Sequence, residues 1–390
     1  MDTPTSSFGR FRHDGAEFVV TEADTPRALM NYSWNQRFIA ALSQHGGGDG
    51  AYKERAIQYI DPAGRCLIVR DGRRYFYIRD ADTGEVWSPG WHPVQTALDQ
   101  FECAHGLGYS VISSGRNGID VELRWFVPAE APCEIWTVTV SNRRGQPARL
   151  QWFSFVDLLL GGYPVYCDYY SSLRGEYDVD ANIVLGRNDN PDRTHAFYSA
   201  FLAADRAFDG FDTSRRRFLG NFGHVNHPAA VRDGGCRGSL GANEKLVAAG
   251  QHDLDLAADD SVRFNVFIGG CSGLEAARKT IAPLTAEGAV DQAFDELRAR
   301  KQAMVARLQI ETPEPKINYL VNGWLKQQVQ VYADVGSDNG RGFRDAMQLL
   351  WAAASFDLDY TRRMLDECLR HQYADGHTLR GWLPVDDHHY

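Results

Sequence analysis

The segment EIWTVTVSNRRGQPARLQWFSFVDLLL, residues 134–160, decides the fold class of this chain. Two runs of β-branched and aromatic residues flank a short polar loop that holds Gly145 and Pro147. Such runs are typical of β-strands, and glycine and proline are typical of the turns between them. The pattern predicts two strands joined as a hairpin.

Runs of the same kind recur through the first 270 residues. They are RRYFYIRD (73–80), IDVELRWFVP (119–128) and SVRFNVFIGG (261–270), while GRFRHDGAEFVV (9–20) has the pattern of an edge hairpin with a charged turn. Strands at this frequency, without regularly interspersed helices, favour an antiparallel arrangement. The sequence therefore predicts a large antiparallel β-sandwich over residues 1–270.

The periodicity changes to that of a helix after Gly273. Apolar residues fall on one stripe among charged neighbours, at Phe294, Leu297, Met304, Val305 and Leu308. This spacing is typical of an amphipathic helix with one buried face. It predicts a helical linker over residues 271–312.

A proline-punctuated break, ETPEPK (311–316), precedes three more predicted helices at 317–335, 344–355 and 358–373. These helices would open an all-α domain over residues 313–390. Three helices of this apolar content rarely close a core alone. We therefore expect this domain to be incomplete in the 390 residues.

Charge and targeting signals exclude several classes of function. The chain has 41 basic and 51 acidic residues, a net charge of −10, which argues against nucleic acid or an anionic membrane as the main partner. The N-terminus lacks the apolar segment of a signal peptide, and no run of eighteen apolar residues occurs. Seven cysteines without a C-x-x-C pair predict free thiols in a reduced, cytoplasmic protein.

The segment DNGRGFRDAMQLL (338–350) carries the strongest candidate site. It places Arg341, Arg344 and Asp345 at the expected start of a helix, after a glycine-rich loop. One interpretation is an ion pair at the helix start, where an acidic residue complements the macrodipole. The other is a grip on sugar hydroxyls, because a carboxylate accepts from O–H groups and guanidinium groups donate in a fixed plane.

Other motifs predict no further chemistry. His377, with Asp386, Asp387, His388 and His389, would offer metal ligands, but four consecutive residues cannot all face one ion, so we predict no metal site. The chain contains neither a phosphate-binding G-x-x-x-x-G-K loop nor a G-x-S-x-G nucleophile elbow.

Several blocks of the chain together resemble glycoside hydrolase family 94, the inverting sugar phosphorylases that include cellobiose and chitobiose phosphorylase. The blocks follow the order of the family. They are FGRFRHDGAEFVVTEADTPRALMNYSWN (8–35), GRRYFYIRDADTGEVWSPGWHPVQ (72–95), FECAHGLGYSVISSGRNGIDVELRWFVP (101–128), CEIWTVTVSN (133–142), RRRFLGNFG (215–223) and GFRDAMQ (342–348).

The resemblance implies an N-terminal β-sandwich, a helical linker and an (α/α)6 catalytic barrel, of which this chain holds the first helices. In the family the Gly-Phe-Arg-Asp motif helps to bind the sugar whose glycosyl group is transferred. That role would pass to Arg344 and Asp345, with Arg341 and Gln348 as lesser candidates. The match departs from the family at Arg341, which stands two residues later than the family's first arginine. It departs again at Leu349, which replaces an aspartate.

The resemblance also implies the reaction: a glycosyl group passes from a β-linked gluco-oligosaccharide to inorganic phosphate, giving an α-sugar 1-phosphate. Phosphate is a co-substrate, and no cofactor is implied. The family's general acid is the aspartate of a Trp-Asn-Asp-type motif, and no tryptophan of this chain is followed by Asn-Asp. The catalytic acid is therefore expected downstream of Tyr390, and this portion alone is expected to be inactive. A homodimer is implied by analogy.

Two alternatives to a phosphorylase remain from the sequence. The first is a non-catalytic module for carbohydrate binding or dimer assembly, because the family's sandwich contributes to dimer contacts. The second is a related (α/α)6 enzyme, such as a maltose-type phosphorylase or a glucoamylase, with the same order of domains.

Overall fold

The computed structural model describes residues 5–6, 8–52, 66–160, 173–189, 199–335 and 341–382. Its strands, in chain order, are β1 (Thr5–Ser6), β2 (Gly9–Arg12), β3 (Glu17–Val20), β4 (Met30–Trp34), β5 (Phe38–Ser43), β6 (Gly50–Tyr52), β7 (Cys66–Leu67), β8 (Val69–Asp80), β9 (Val86–Trp87), β10 (Gln100–Gly106), β11 (Tyr109–Arg116), β12 (Ile119–Phe126), β13 (Cys133–Asn142), β14 (Ala148–Leu158), β15 (Leu173–Asp178), β16 (Ile183–Asn188), β17 (Ser199–Ala204), β18 (Gly210–Ser214), β19 (Leu246–Leu256), β20 (Ser261–Cys271), β21 (Arg341–Gly342) and β22 (Gly381–Trp382).

The helices are short in the first part of the chain and longer after the last long strand. They are α1 (Arg215–Leu219), α2 (Ala229–Asp233), α3 (Leu274–Ile281), α4 (Ala289–Ala306), α5 (Pro315–Tyr319), α6 (Leu325–Val335), α7 (Phe343–Ala353) and α8 (Leu358–Arg370), with a π-helical turn, Leu320–Trp324, joining α5 to α6. Within the described ranges, none of them combines the length and apolar content needed to span a bilayer.

The strands form a sandwich of antiparallel sheets. One sheet has eleven strands in the order β1-β2-β3-β10-β11-β12-β13-β20-β17-β16-β15. Against it pack a five-stranded sheet, β18-β19-β14-β8-β9, and a four-stranded sheet, β4-β5-β6-β7. The antiparallel sandwich predicted from the sequence is confirmed, and so are the hairpin of β2 with β3 and the strands near 73–80, 119–128 and 261–270.

The hairpin predicted for residues 134–160 is wrong. Both strands form, but β13 pairs with β12 and β20 in the large sheet, whereas β14 pairs with β8 and β19 in the five-stranded sheet. The polar loop between them therefore crosses from one layer to the other. Both strands are buried on both faces, so each needs strand neighbours in its own layer.

Large aromatic residues fill the space between the layers. Trp125 and Trp136 are cross-strand partners on the large sheet, and Trp152 faces them from the five-stranded sheet; all three are fully buried. Phe76 contacts both layers, with ring centroids 4.9 Å from Trp136 and 5.1 Å from Trp152. The aromatic content of the chain therefore serves its core.

A fully buried ion pair also joins the layers. Arg74 on β8 donates to the Glu134 carboxylate on β13 at 2.7 Å, and neither side chain is exposed. Arg74 also donates to the carbonyl of Ala41 on β5 at 3.1 Å, and Trp125 donates to Glu134 at 2.7 Å. Burial raises the pKa of Glu134, although the charge of Arg74 opposes that shift.

Helices cover the outer faces of the sheets. The helices α3 and α4 pack on the large sheet, and the buried residues Phe294, Leu297 and Met304 confirm the predicted apolar stripe. Asp291 at the start of α4 accepts from Arg263 at 2.7 Å and from Arg124 at 2.6 Å. These two guanidinium groups lower the pKa of Asp291 to about 2 and fix the helix to the sheet.

The remaining helices build a small core of their own. The helices α6, α7 and α8 pack around buried residues that include Ala333, Leu350, Met364 and Cys368. The three predicted helices are thus confirmed, with ends shifted by up to three residues: the first corresponds to α5, the π-helical turn and α6 together, and the others to α7 and α8. In the described residues Cys103, Cys133 and Cys236 are free thiols, as the sequence predicted.

Candidate functional site

The candidate segment enters α7 from a short strand. The strand β21 pairs antiparallel with β22, and the amide of Phe343 donates to the carbonyl of Arg380 at 3.1 Å. The start of α7 is therefore held by backbone hydrogen bonds from a segment that lies far away in the sequence. This anchorage gives the side chains of the first helical turn a fixed base.

Gly342 is the N-cap residue of α7, and it makes no side-chain cap. A β-carbon at this position would lie 2.7 Å from Oδ2 of Asp345, closer than real contacts allow. The Asp345 carboxylate thus lies directly over the glycine in the first turn of the helix. That location suits an acidic group, because the free amides and the macrodipole of a helix start favour negative charge.

Arg344 and Asp345 form a solvent-accessible pair. The Arg344 guanidinium lies 3.1 Å (Nη2) and 3.3 Å (Nε) from Oδ1 of Asp345, with side-chain exposures of 84% and 44%. Such exposed pairs contribute little to stability. Both groups are therefore open to a ligand at little energetic cost, and Oδ2 of Asp345 accepts no hydrogen bond from another described residue.

Gln348 and Trp351 extend this surface along α7. Residues three, four and seven apart share one face of a helix, so Arg344, Gln348 and Trp351 lie on the same exposed side. The Trp351 side chain is 84% exposed. Our sequence reasoning gave Trp351 no role, although its spacing of seven from Arg344 was a readable signal.

The structure thus brings Arg344, Asp345 and Gln348 together on one face. It places the backbone of Arg341 in β21, next to that face, while the Arg341 side chain is outside the described residues.

The histidines near the C-terminus form no metal site in the part that is described. His377 stacks on Tyr373 at 4.1 Å between ring centroids and pairs with the carboxylate of Asp375. No group of three or more potential ligands is present among the described residues. The other residues of this candidate, 386–389, lie outside the described residues.

The position of α7 depends on α6, which is fixed to the sandwich by polar contacts. Trp324 donates to the carbonyl of Gly15 at 2.8 Å, in the turn between β2 and β3, and Gln327 donates to the side-chain oxygen of Asn31 at 3.4 Å. The π-helical turn lies directly before α6, and such turns are frequent where a helix must present particular side chains. Trp324 is the last residue of this turn and Gln327 lies in the first turn of α6, so both contacts hold the start of α6 against the sandwich.

A buried lysine connects α6 to the linker helix. The Lys326 ammonium donates to the carbonyls of Val305, at 2.7 Å, and of Leu308, at the C-terminal end of α4. A cation at this end complements the helix macrodipole and the unpaired carbonyls. Burial lowers the pKa of Lys326. Sandwich, linker and terminal helices are therefore joined by specific contacts.

Comparison with known proteins gives this architecture a family. The family model of the glycosyl hydrolase 94 supersandwich domain matches residues 16–287. The chain belongs to glycoside hydrolase family 94. The match covers the strands from β3 to β20 and the first linker helix, α3, and confirms the resemblance found in the sequence.

Several curated proteins similar to this chain are named as phosphorylases. The chain is 41% identical over 387 residues to solabiose phosphorylase from Paenibacillus borealis, covering 99% of this chain and 50% of the relative. It is 26% identical over 394 residues to N,N'-diacetylchitobiose phosphorylase from Vibrio proteolyticus, covering 97% of this chain and 48% of the relative. The family 94 chain thus spans about half the length of these relatives.

Among solved structures, a bacterial glucoamylase complexed with acarbose is similar in fold. The TM-score is 0.51 at 10% identity, over 96% of this chain and 56% of the glucoamylase. At this identity the similarity concerns the fold alone.

Proposed function

We propose that the chain is the N-terminal portion of an inverting sugar phosphorylase. In this proposal the whole enzyme transfers a glycosyl group from a β-linked gluco-oligosaccharide to phosphate and releases an α-sugar 1-phosphate. The observation that carries it is the open start of α7 in a family 94 chain, where Arg344 and Asp345 face solvent on a backbone held by β22.

The chemistry of these side chains suits a sugar ring. An ionised carboxylate accepts hydrogen bonds from adjacent hydroxyl groups, and a guanidinium group donates in a plane. We assign Asp345 and Arg344 to the transferred glycosyl unit, Gln348 to a supporting contact, and Arg341 to the edge of the same subsite. Asp345 is a binding residue here, because its carboxylate is solvent-accessible and paired with Arg344.

The reaction needs one acid but no base. Phosphate is itself the nucleophile, so no side chain has to activate water, and one carboxylic acid protonates the departing glycosidic oxygen. We assign that acid to residues beyond Tyr390, because no tryptophan of this chain is followed by Asn-Asp. The 390 residues alone would then bind sugar weakly and cleave nothing.

The same proposal assigns α6, α7 and α8 to the beginning of an (α/α)6 barrel. Its support is the set of exposed apolar side chains on α6 and α8, among them Leu325, Leu358 and Leu369, which further helices would cover. We also propose a homodimer, on family analogy, which light scattering of the full-length protein tests directly.

The decisive experiment compares the 390-residue chain with its full-length gene product. We expect only the full-length protein to convert β-linked glucobioses and phosphate into a sugar 1-phosphate, with the α anomer identified by NMR. A β-anomer product, or cleavage without phosphate, would contradict the proposal. Sugar binding without turnover by the full-length protein would instead support a carbohydrate-binding module.

Asp345→Asn tests the sugar subsite in the full-length protein. Loss of a charged hydrogen-bond partner weakens binding by about 1.5–3 kcal/mol, so we expect roughly a 10- to 100-fold rise in the dissociation constant of the donor sugar. Calorimetric titration measures the binding, and circular dichroism checks the fold. Asp359→Asn is the matched control, because Asp359 is also an exposed acid in a first helical turn, that of α8. If Asp345→Asn unfolds the helix but binds sugar normally, the ion pair serves only the helix start.

A further inference from the structure

A large open cleft lies between the sandwich and the helices, away from the start of α7. Its volume is about 1140 Å³. The turn between β4 and β5 with residues 129–130 forms one wall, α4 forms another, and α6 with the end of α7 and α8 forms the third. Ala353, which lines it, lies eight residues after Asp345, about 12 Å further along the helix axis.

The floor of the cleft is apolar but offers no aromatic face. Met304, Phe356 and Tyr360 line it and are each less than a tenth exposed. The ring of Trp34 is covered by the ammonium group of Lys301, which lies 3.9 Å from the ring centroid. Because these aromatic rings are buried, the charged side chains of the walls are the accessible groups of the cleft.

Cationic side chains predominate along the walls, although the whole chain has a net charge of −10. As the described residues form it, the lining has five cationic residues, Arg37, Arg300, Lys301, Arg307 and Arg363, and three acidic ones, Glu130, Asp357 and Glu367. A local excess of positive charge in an acidic protein attracts anions.

One acid of the lining is already neutralised. Asp357 caps α8 by accepting from the amide of Tyr360 at 3.1 Å, and Arg307 lies 3.5 Å from the same carboxylate oxygen. By contrast, the guanidinium groups of Arg37 and Arg300 make no hydrogen bond or ion pair with any other described residue. Their donors, one from the sandwich and one from the linker helix, remain available to a ligand.

We propose that this cleft is a second binding site, for a phosphate dianion, either inorganic phosphate or a phosphate monoester of a sugar. Arg37 and Arg300 bind the phosphate oxygens from the two walls, because guanidinium groups match phosphate geometry with paired N–H donors. Binding there bridges the sandwich and the linker helix. The site is separate from the sugar subsite at the start of α7.

The experiment measures how fast phenylglyoxal modifies each arginine, with peptide mass spectrometry identifying the modified residues. Protection by a ligand then shows which arginines bind it. The full-length protein is treated with and without inorganic phosphate or α-glucose 1-phosphate, at constant ionic strength. Arg362 is the internal control, because it is exposed and adjacent to Arg363 but does not line the cleft. We expect saturating ligand to slow modification of Arg37 and Arg300 by about tenfold or more and to leave Arg362 unchanged.

The outcomes separate the possible ligands. Protection by both compounds, or by either one alone, supports the site and identifies its ligand. Equal protection by chloride at the same ionic strength would reduce the effect to screening and overturn the proposal. Resistance of Arg37 and Arg300 to modification in the absence of ligand would also overturn the proposal, since another part of the chain would then fill the cleft.

Substitutions provide an independent measurement. Arg37→Gln with Arg300→Gln should remove one phosphate-binding site per chain in calorimetry and leave the co-substrate site of the proposed reaction, whereas Arg362→Gln should remove none. Asp345→Asn should leave the protection of Arg300 intact, which distinguishes failure of this site from failure of the proposed sugar subsite. An unchanged number of phosphate sites per chain in the double variant would refute the assignment.

Discussion

The sandwich buries large tryptophan side chains, whereas the terminal helices expose one. Trp87, Trp125, Trp136 and Trp152 are fully buried between or beside the sheets, whereas Trp351 on α7 is 84% exposed. The sandwich closes its own core with layers on both sides of the central strands. The helices α6, α7 and α8 bury one face and leave another open. The sandwich therefore encloses its large aromatic side chains by itself, whereas the three helices leave large apolar side chains accessible to solvent.

Arg74→Met should produce the largest loss of stability, because it leaves Glu134 buried without its ionic partner. Removing one member of a buried pair costs about 3–5 kcal/mol. Urea denaturation followed by tryptophan fluorescence measures the change in the free energy of unfolding. The double variant Arg74→Met with Glu134→Leu should recover much of this loss. If it is less stable than the single variant, the pair itself is strongly stabilising.

Phe294→Ala tests how the linker helix α4 is attached to the sandwich. The ring centroids of Phe294 and Phe126 are 5.2 Å apart, and the Arg124 guanidinium lies 4.4 Å from the centroid of the Phe294 ring. The cavity should cost about 3 kcal/mol. Hydrogen exchange should show α4 losing protection while the strands of the central sheet keep theirs. Phe294→Leu is the control, with a smaller loss; uniform loss of protection across both regions would mean that they unfold as one unit.

Acidification should weaken the sandwich through two buried histidines. Burial lowers the pKa of His105 and of His252 to about 4. In the unfolded chain both bind protons near pH 6.5, so stability is full above that pH and falls as the pH decreases from 6.5 to 4. Each histidine should lower the free energy of unfolding by about 2 kcal/mol between pH 7 and pH 5.

The variant His252→Phe provides the comparison for this effect. The surroundings of His252 are aromatic: the centroid of its ring lies 4.6 Å from that of Phe264 and 5.0 Å from that of Phe208. The variant should lose about 2 kcal/mol less than the parent between pH 7 and pH 5. An unchanged pH dependence would assign the acid sensitivity to other groups.

Trp351→Ser should have the smallest effect on stability, within about 0.5 kcal/mol, because the side chain makes little buried contact. In the 390-residue chain it should also reduce binding of a dye that reports exposed apolar surface. A loss of several kcal/mol would show that Trp351 is packed in solution. In that case the contrast between the two regions would fail.

The parts of the fold that are local in sequence were predictable. Runs of β-branched residues located β8 and β12, and helical spacing located α7 within a few residues of its ends. The pairing of β13 was not predictable, because a strand buried on both faces has no alternation that would indicate its neighbours. A short polar loop after it suggests a hairpin, although here it crosses between layers.

The candidate site was likewise predictable only in the parts that are local in sequence. The acidic residue in the first turn of α7 follows from the sequence around Asp345, because helix starts favour it. The ladder that holds Gly342 opposite Gly381 does not, since strands of two residues leave no pattern. The cleft beside Arg300 was also missed, because its lining comes from five separate stretches of the sequence between residues 34 and 367.

The place of β13 at the centre of the large sheet affects how the chain is made. One of its neighbours, β12, precedes it closely, but the other, β20, begins only at Ser261. At about 5–20 residues per second, a ribosome needs on the order of ten seconds to supply that strand. During this time an apolar strand has one edge open for association with other chains. Nascent chains of this protein should therefore depend on chaperones until β20 emerges, and refolding from denaturant should be slow.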